Sequence, residues 1–182
     1  MDRESSLVEL VDAAGHPIGS TTVAEAHQFP GRRHRAFSVM LRDGAGRVLL
    51  QQRAEVKTRF ALRWSNTCCG HPGPGEDVAE AASVRLRDEL GLSALMLDEI
   101  GVYPYRATDQ ATGRVEDEYD HVLVGSWDGV PPQPDPAEVV DWRWVPMAQL
   151  RMDLDRHKDS YTPWLAGVLS IVIGSIPLNL TH

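Results

Sequence analysis

The chain has 182 residues, of which 42% are hydrophobic and 24% are charged, and its formal net charge is −8 at pH 7. This length allows one domain with a full core and is short for two, and the composition excludes a disordered chain. Because an acidic protein repels nucleic acid and anionic membranes, we expect neither as a partner, and an anionic substrate would require a local basic pocket.

The N-terminal segment, MDRESSLVELVDAAG, has no apolar run behind a basic head. We therefore expect no secretory signal peptide. Residues 1–24 are a candidate lid segment that orders when a substrate binds.

The first strongly patterned segment is RAFSVMLRDGAGRVLLQQR. Phe37, Val39 and Leu41 alternate with smaller or polar residues, and the turn sequence DGAG follows them. This pattern predicts a β-hairpin, after which a loop reaches Trp64.

A helical pattern follows from Glu76 to Leu90. Ala79, Ala82 and Leu86 recur at helical spacing on one apolar face, and Gly91 is a typical helix end. We predict one amphipathic helix here.

The remaining segments alternate between strand and helix patterns. ALMLDEIGVYPYRA, VEDEYDHVLVGSW and VVDWRWV have strand character, and the proline-rich GVPPQPDPAE is expected to be a surface loop. The apolar run Leu165–Leu178 is shorter than the roughly 20 residues that span a bilayer, so we interpret it as a buried terminal helix. The order predicts one α+β domain over residues 1–182, an α/β/α sandwich with helices on both faces of a mixed sheet.

Five residues have the chemistry of metal ligands, namely His27, His34, His71, Glu116 and Glu118. If they converge, they form a nitrogen–oxygen site that suits manganese, magnesium or zinc. Taken alone, the two glutamates favour a solvated edge of the sheet, since Asp120 continues their stripe. Single histidines are weak evidence, and we interpret four others as surface residues: His16, His121, His157 and His182.

The two cysteines, Cys68 and Cys69, are adjacent in NTCCGHPGPGE. Neighbouring cysteines rarely pair with each other, so we expect free thiols and a reducing, cytoplasmic location. Their purpose is packing, metal binding or chemistry, and the two residues alone do not distinguish these.

The segment from Gly70 to Leu92 resembles the Nudix box. Gly70 is followed by Glu76, then by VRLRDELGL with its acidic pair Asp88 and Glu89. In the Nudix family this loop and helix bind a divalent ion on a diphosphate substrate through carboxylates. The departure is Val84–Arg85, where Nudix hydrolases have arginine and glutamate. Arg85 is either a helix ion-pair partner of Glu89 or a phosphate contact.

The longer pattern resembles the type I isopentenyl-diphosphate isomerases of the Nudix superfamily. The matching pieces are HQFPGRRHRAFS, RWSNTCCGHPGPGE, RLRDELG, YRATD, VEDEYDHVLVG and YTPWLAG. The resemblance implies that the three histidines with Glu116 and Glu118 bind one divalent ion, Mn²⁺ or Mg²⁺ with Zn²⁺ as a third candidate. It also implies that Cys69 and Glu118 are the catalytic pair, while Cys68 packs in the core; a metal-binding role for Cys69 stays open. Glu89 is implied to hold a Mg²⁺ ion that arrives with the diphosphate.

The resemblance assigns further roles in the implied conversion of isopentenyl diphosphate to dimethylallyl diphosphate. Tyr105 would contact the carboxyl group of Glu118, and Trp164 would face a carbocation. The basic residues implied to bind the diphosphate are Arg53, Lys57 and Arg85. Val23 stands where some members have a phosphate-contacting lysine.

Two other functions remain as alternatives. One is a Nudix pyrophosphohydrolase of nucleoside diphosphate derivatives, and the other is a zinc-binding module without activity, in which the cysteines and histidines hold the metal. We expect a small isoprenoid diphosphate as substrate and a monomer or weak homodimer.

Overall fold

A computed structural model describes residues 3–176 of the chain. The described strands, in chain order, are β1 (Leu7–Val11), β2 (Pro17–Thr22), β3 (His34–Arg42), β4 (Arg47–Arg53), β5 (Trp64–Ser65), β6 (Cys68–Gly70), β7 (Asp98–Thr108), β8 (Val115–Ser126) and β9 (Val139–Pro146). The α-helices are α1 (Val23–Ala26), α2 (Val78–Leu90), α3 (Met147–Arg156) and α4 (Leu165–Gly174), and Arg3–Ser5 and Lys158–Ser160 form 3₁₀ turns. His182, which we predicted to be a surface residue, and Pro177–Leu178, the end of the predicted terminal helix, lie outside these residues.

Strand β3 is the centre of one mixed sheet. Along one side it pairs antiparallel with β1, β6 and β4 in turn, and along the other side it pairs parallel with β8. Strand β7 then pairs with β8, β9 with β4, and β2 with β1. The predicted hairpin of β3 and β4 is confirmed, and so are the strands that became β7, β8 and β9.

The alternation of side chains along the strands builds a core on each face of the sheet. Val39 and Leu41 of β3 pack with Leu86 of α2 on one face. Met40, between them in sequence, packs with Val168 of α4 on the other face. Since successive side chains of a strand point to opposite faces, this period of two explains the helix–sheet–helix layering. The predicted α+β sandwich is confirmed.

One prediction about the sheet was wrong. The stripe of Glu116, Glu118 and Asp120 was interpreted as a solvated edge, but β8 lies between β3 and β7 in the sheet. The three acidic side chains are buried, and Asp120 is 0% exposed. Their inner position depends on strands that are distant in sequence, which a local pattern does not reveal.

Helix α2 begins two residues later than predicted because Asp77 caps it. The Asp77 side chain accepts a hydrogen bond from the backbone N–H of Glu80. The helix ends, as predicted, at Gly91, which adopts a φ of +68° that favours glycine. The sequence pattern placed no strands before His34, whereas β1 and β2 form a hairpin there. None of the described helices has the length and apolar character to cross a membrane.

The packing of α2 provides a stability prediction. Leu86 is 0% exposed, whereas Val84 on the same helix is 44% exposed. We expect Leu86→Ala to lower the free energy of unfolding by about 2–5 kcal/mol, because it leaves a cavity in the core. Val84→Ala, the matched control, should change it by about 0.5 kcal/mol or less. Urea denaturation under identical metal conditions measures both, and equal effects would contradict this account of the core.

Candidate functional site

A cavity of about 540 Å³ opens beside the central strands. The residues of interest that line it are Arg53, Lys57, Cys69, His71, Arg85, Tyr105, Glu116, Glu118 and Trp164. Arg3, Glu4 and Val23, from the N-terminal segment, also line it. The structure thus brings together predicted site residues from strands, helices and loops across most of the chain.

The three predicted histidines and two predicted glutamates form one cluster. Each of these residues offers a ligand atom, and all five atoms lie within 4.8 Å of one another. His34 begins β3 directly opposite Glu118 of β8, since the parallel register pairs them. His27 follows α1 and His71 follows β6, and the ring centroids of the three histidines are 4.6–5.1 Å apart. Glu116 and Glu118 share a face of β8, as the two-residue spacing predicts.

The hydrogen bonds of the histidines suit metal ligation. Nδ1 of His27 lies 2.7 Å from the carbonyl oxygen of Val23, and Nδ1 of His34 lies 2.8 Å from that of Arg32. A carbonyl oxygen only accepts, so each Nδ1 carries a hydrogen, and each Nε2 is the nitrogen left to face the cluster and a metal ion. The Nε2 atom of His34 is buried without a hydrogen-bond partner. Two carboxylates and imidazole lone pairs at this spacing fit a divalent ion.

The electrostatics of the cluster keep His71 and Glu118 in the forms that bind metals. Burial lowers the pKa of His71 to about 4, so its imidazole is neutral at pH 7. Burial alone would raise the pKa of Glu118, but its interactions with His34 and His71 hold it well below its ordinary value. Cys69 is not a member of the cluster that the described residues form.

The two thiols point to opposite faces of β6. Cys68 is 0% exposed and packs among the core residues beneath α2, as predicted. Cys69 lines the cavity, and its Sγ lies 3.1 Å from Oδ1 of Asn66. Burial, followed by the negative charge of Asp120, raises the pKa of the Cys69 thiol to about 12. The thiol is therefore protonated at neutral pH.

Two aromatic residues form a wall beside Glu118. Tyr105 donates a hydrogen bond of 2.6 Å to Oε2 of Glu118. Its ring lies 5.7 Å from the ring of Trp164, which is 3% exposed and directly precedes α4. The indole and phenol rings therefore border the cavity on the side that contains the thiol and the carboxylate.

Of the predicted basic residues, Lys57 and Arg85 are paired with acids, whereas the Arg53 guanidinium donates to the backbone carbonyls of Arg59 and Phe60. Arg85 Nη1 lies 3.5 Å from Oε1 of Glu89, the ion pair expected from the four-residue spacing. Lys57 pairs with Glu138, and Arg3 contacts Glu89 at 2.8 Å. Glu89 itself is 1% exposed, and burial raises its pKa. Three cations, Arg3, Lys57 and Arg85, thus contact the two carboxylates of Glu89 and Glu138.

Gly70, the first residue of the box-like motif, has a packing reason to be glycine. A Cβ atom there would lie 2.7 Å from Cζ of Phe37 and 3.1 Å from Nε of Arg85. Only glycine allows the end of β6 to approach Phe37 of β3 and Arg85 of α2 this closely. The close approach brings Cys69 and His71, which flank Gly70, into the cavity.

Some site residues were not found from the sequence. Arg59 donates to Oε1 of Glu116 at 3.1 Å, and Ser38 donates to Asp120 at 2.8 Å beside the thiol. Asn66 contacts both Cys69 and Trp164. Asn66 lies inside the conspicuous NTCCGHP segment, so its neighbourhood was the one available signal.

Comparison with known proteins decides the family. The NUDIX domain model matches residues 32–165. A protein of Nocardia farcinica named isopentenyl-diphosphate Delta-isomerase is 62% identical over 164 residues, which cover 90% of this chain and 93% of that protein. The chain belongs to the isopentenyl-diphosphate Delta-isomerase family. A Streptomyces coelicolor member of this family is 47% identical over 167 residues, with 91% of this chain and 83% of that protein covered.

Solved structures place the family fold among the Nudix proteins. A Deinococcus radiodurans crystal structure matches with a TM-score of 0.73 at 18% identity, covering 91% of this chain and 98% of that one. The MutT protein from Methanosarcina mazei matches with a TM-score of 0.64 at 16% identity, covering 80% and 96% of the two chains. These matches confirm the Nudix-like mixed sheet flanked by helices.

The raised pKa of the Cys69 thiol predicts that this residue reacts slowly with alkylating reagents. In metal-free protein at pH 8, we expect iodoacetamide to modify Cys69 at least about a hundredfold more slowly than a free cysteine, because a pKa of about 12 leaves almost no thiolate. Mass spectrometry of the Cys69 peptide over time measures the rate, with N-acetylcysteine in the same tube as the reference. A rate equal to the reference would contradict a protonated thiol.

Proposed function

We propose that this protein interconverts isopentenyl diphosphate and dimethylallyl diphosphate. The observation that supports this best is one cavity lined by a protonated thiol, a carboxylate held by a histidine cluster, and two aromatic rings. The relatives named isopentenyl-diphosphate Delta-isomerase, at up to 62% identity, support the same activity.

The reaction moves a double bond from C3–C4 to C2–C3 of a five-carbon diphosphate. An alkene is a poor base, so protonation at C4 forms a tertiary carbocation and requires a positioned acid. A base must then remove a proton from C2, and water must be excluded because it would trap the cation as an alcohol. One proton is added and one is removed, so the substrate and product are isomers.

Cys69 and Glu118 are proposed as the acid–base pair. Cys69 lies on β6 and Glu118 on β8, with β3 paired to both strands, so the two groups approach the cavity from separate segments. One of them delivers the proton and the other accepts one, and the reverse reaction exchanges their roles. Tyr105 donates to Oε2 of Glu118 and so orients its carboxyl group.

Trp164 and Tyr105 are proposed to stabilise the carbocation. The face of an aromatic ring attracts a cation with about 0.5–2 kcal/mol, and more of this energy is realised in a site without water. The two rings also exclude water from the apolar end of the cavity, which protects the intermediate.

We propose that Arg53, Lys57 and Arg85 bind the diphosphate. Each lines the cavity, and guanidinium and ammonium groups form charge-assisted hydrogen bonds with phosphate oxygens. Mg²⁺ that arrives with the diphosphate would be held by Glu89. When bound at the His/Glu cluster, Mn²⁺ or Mg²⁺, with Zn²⁺ as the third candidate, would supply positive charge beside the carboxylate of Glu118.

The N-terminal segment is proposed to cover the site. Arg3 pairs with Glu89 and Glu138, and Arg59 donates to Glu4, so this segment lies against the diphosphate end of the cavity. That placement supports the prediction of a lid in residues 1–24. The cysteines of the described residues are free, which supports the proposed cytoplasmic location.

Proton exchange tests the function directly. Isopentenyl diphosphate is incubated with the metal-loaded protein in deuterated water, and NMR follows the product. We expect deuterium in dimethylallyl diphosphate. Folded, metal-loaded protein that introduces no deuterium would overturn the proposal, and release of phosphate or monophosphate from a nucleotide panel would favour the hydrolase.

A further inference from the structure

Asn66 is a fully buried amide in the loop between β5 and β6, with 0% exposure. Its Nδ2 donates to the carbonyl oxygens of Val39 at 3.1 Å and Cys68 at 2.8 Å. Since both carbonyls only accept, the amide group has one orientation. Its Oδ1 must face away from these strands.

The Oδ1 atom of Asn66 receives hydrogen bonds from both walls of the cavity. The Cys69 thiol lies 3.1 Å from it, and the Trp164 indole N–H donates to it at 3.0 Å. An indole N–H can only donate, which independently assigns this atom as oxygen. A third donor, the Ser65 hydroxyl, lies at 3.0 Å. Two groups that are far apart in sequence are therefore held by one rigid acceptor.

We propose that Asn66 is a positioning residue that sets the Cys69 thiol and the Trp164 indole relative to each other for isomerisation. This inference rests on the proposed function. The carboxamide oxygen accepts a hydrogen bond from the thiol but is too weak a base to remove the proton. The thiol therefore keeps one rotamer and stays protonated, so it can act as an acid. The same bond fixes which face of the indole borders the cavity.

Without this acceptor, the thiol has other partners nearby. The Ser38 hydroxyl lies 3.8 Å and the Ser65 hydroxyl 3.9 Å from Sγ. If the thiol rotates toward either hydroxyl, its S–H bond no longer has the direction that the hydrogen bond to Asn66 gives it. Loss of the Asn66 acceptor should therefore lower kcat rather than weaken substrate binding. Asn66 does not line the cavity, and none of its hydrogen bonds is to a residue proposed to bind the diphosphate.

The test compares steady-state kinetics of Asn66→Ala, Asn66→Asp and the control Thr67→Ala. We expect Asn66→Ala to lower kcat by about a hundredfold and to change KM by less than about threefold. Asn66→Asp keeps an acceptor oxygen for the thiol and the indole but loses donors to the two carbonyls. It should lose stability yet retain a kcat nearer to that of the wild type.

Thr67 is a matched control. It is also 0% exposed in the same loop and makes two backbone hydrogen bonds, to Leu41 N–H and the Leu49 carbonyl, away from the thiol. If Thr67→Ala lowers kcat as much as Asn66→Ala, or if Asn66→Asp is as slow as Asn66→Ala, the role is only structural and the inference fails. A wild-type protein that introduces no deuterium into substrate is a failure of the proposed function instead.

Hydrogen exchange of the Trp164 indole N–H tests the inference without an Asn66 variant. The ¹H–¹⁵N signal of the Trp164 indole, assigned by its loss in Trp164→Phe, should exchange slowly with deuterated water. It should also shift in Cys69→Ala, because the thiol and the indole share one acceptor. Rapid exchange of this N–H would overturn the inference even if both Asn66 variants fail to fold.

Discussion

Cys69→Ala is expected to lower kcat for isomerisation by about 10³–10⁴-fold while the protein stays folded and metal-loaded. The substitution removes one partner of the proton-transfer pair, and general acid–base groups contribute factors of about 10²–10⁴. Water that enters the space left by the thiol would also trap the carbocation. NMR of dimethylallyl diphosphate formation, thermal unfolding and metal content are measured on one preparation.

Cys68→Ala is the matched control for this experiment. Its side chain points into the core beneath α2, so we expect a modest loss of stability and a kcat within about threefold of the wild type. A Cys69→Ala protein that loses its metal and unfolds would instead support the zinc-binding module. Retained activity would remove the thiol from the mechanism.

The strands and helices of the fold were largely predictable because their patterns are local. Alternation in β3 and helical spacing in α2 each reflect which face of an element is buried, and a window of about ten residues contains that information. The starts of elements were less predictable. Helix α2 starts after its Asp77 cap, and the strand pattern from Ala94 becomes regular only at Asp98.

The convergence of the site was not predictable from spacing. His34 meets Glu118 because β3 and β8 pair in parallel, and His71 joins them because β6 pairs with the other side of β3. These pairings join segments that are far apart in sequence. Residue type made the five side chains candidates, but only the resemblance to the isomerase family implied that they bind one ion. The interpretation of Glu116 and Glu118 as a solvated edge was wrong for the same reason.

The global charge also concealed the site. A net charge of −8 describes the whole chain, whereas Arg3, Lys57 and Arg85 are drawn together by the buried carboxylate of Glu89 and by Glu138. The average charge therefore does not reveal that these cations are gathered in one place. The prediction of a monomer or weak homodimer stays a prediction.

Glu118→Gln is expected to abolish turnover, by about 10³-fold or more, and excess metal ion should not restore it. Gln has the same size and keeps an oxygen ligand, but an amide cannot donate and accept a proton as a carboxyl group does. The loss of one ligand adds a reduction in metal affinity. Activity is measured against Mn²⁺ concentration, together with metal content.

Glu116→Gln separates ligation from proton transfer. Glu116 belongs to the same cluster, but its oxygens contact His27 at 2.7 Å and Arg59 at 3.1 Å, whereas Glu118 contacts Tyr105 of the aromatic wall. We expect Glu116→Gln to weaken metal binding by about 10–100-fold and to regain most of its activity at high Mn²⁺. If excess metal restores both variants equally, Glu118 is only a ligand. The second proton-transfer group must then be another residue, because a thiol alone cannot serve both faces of the substrate.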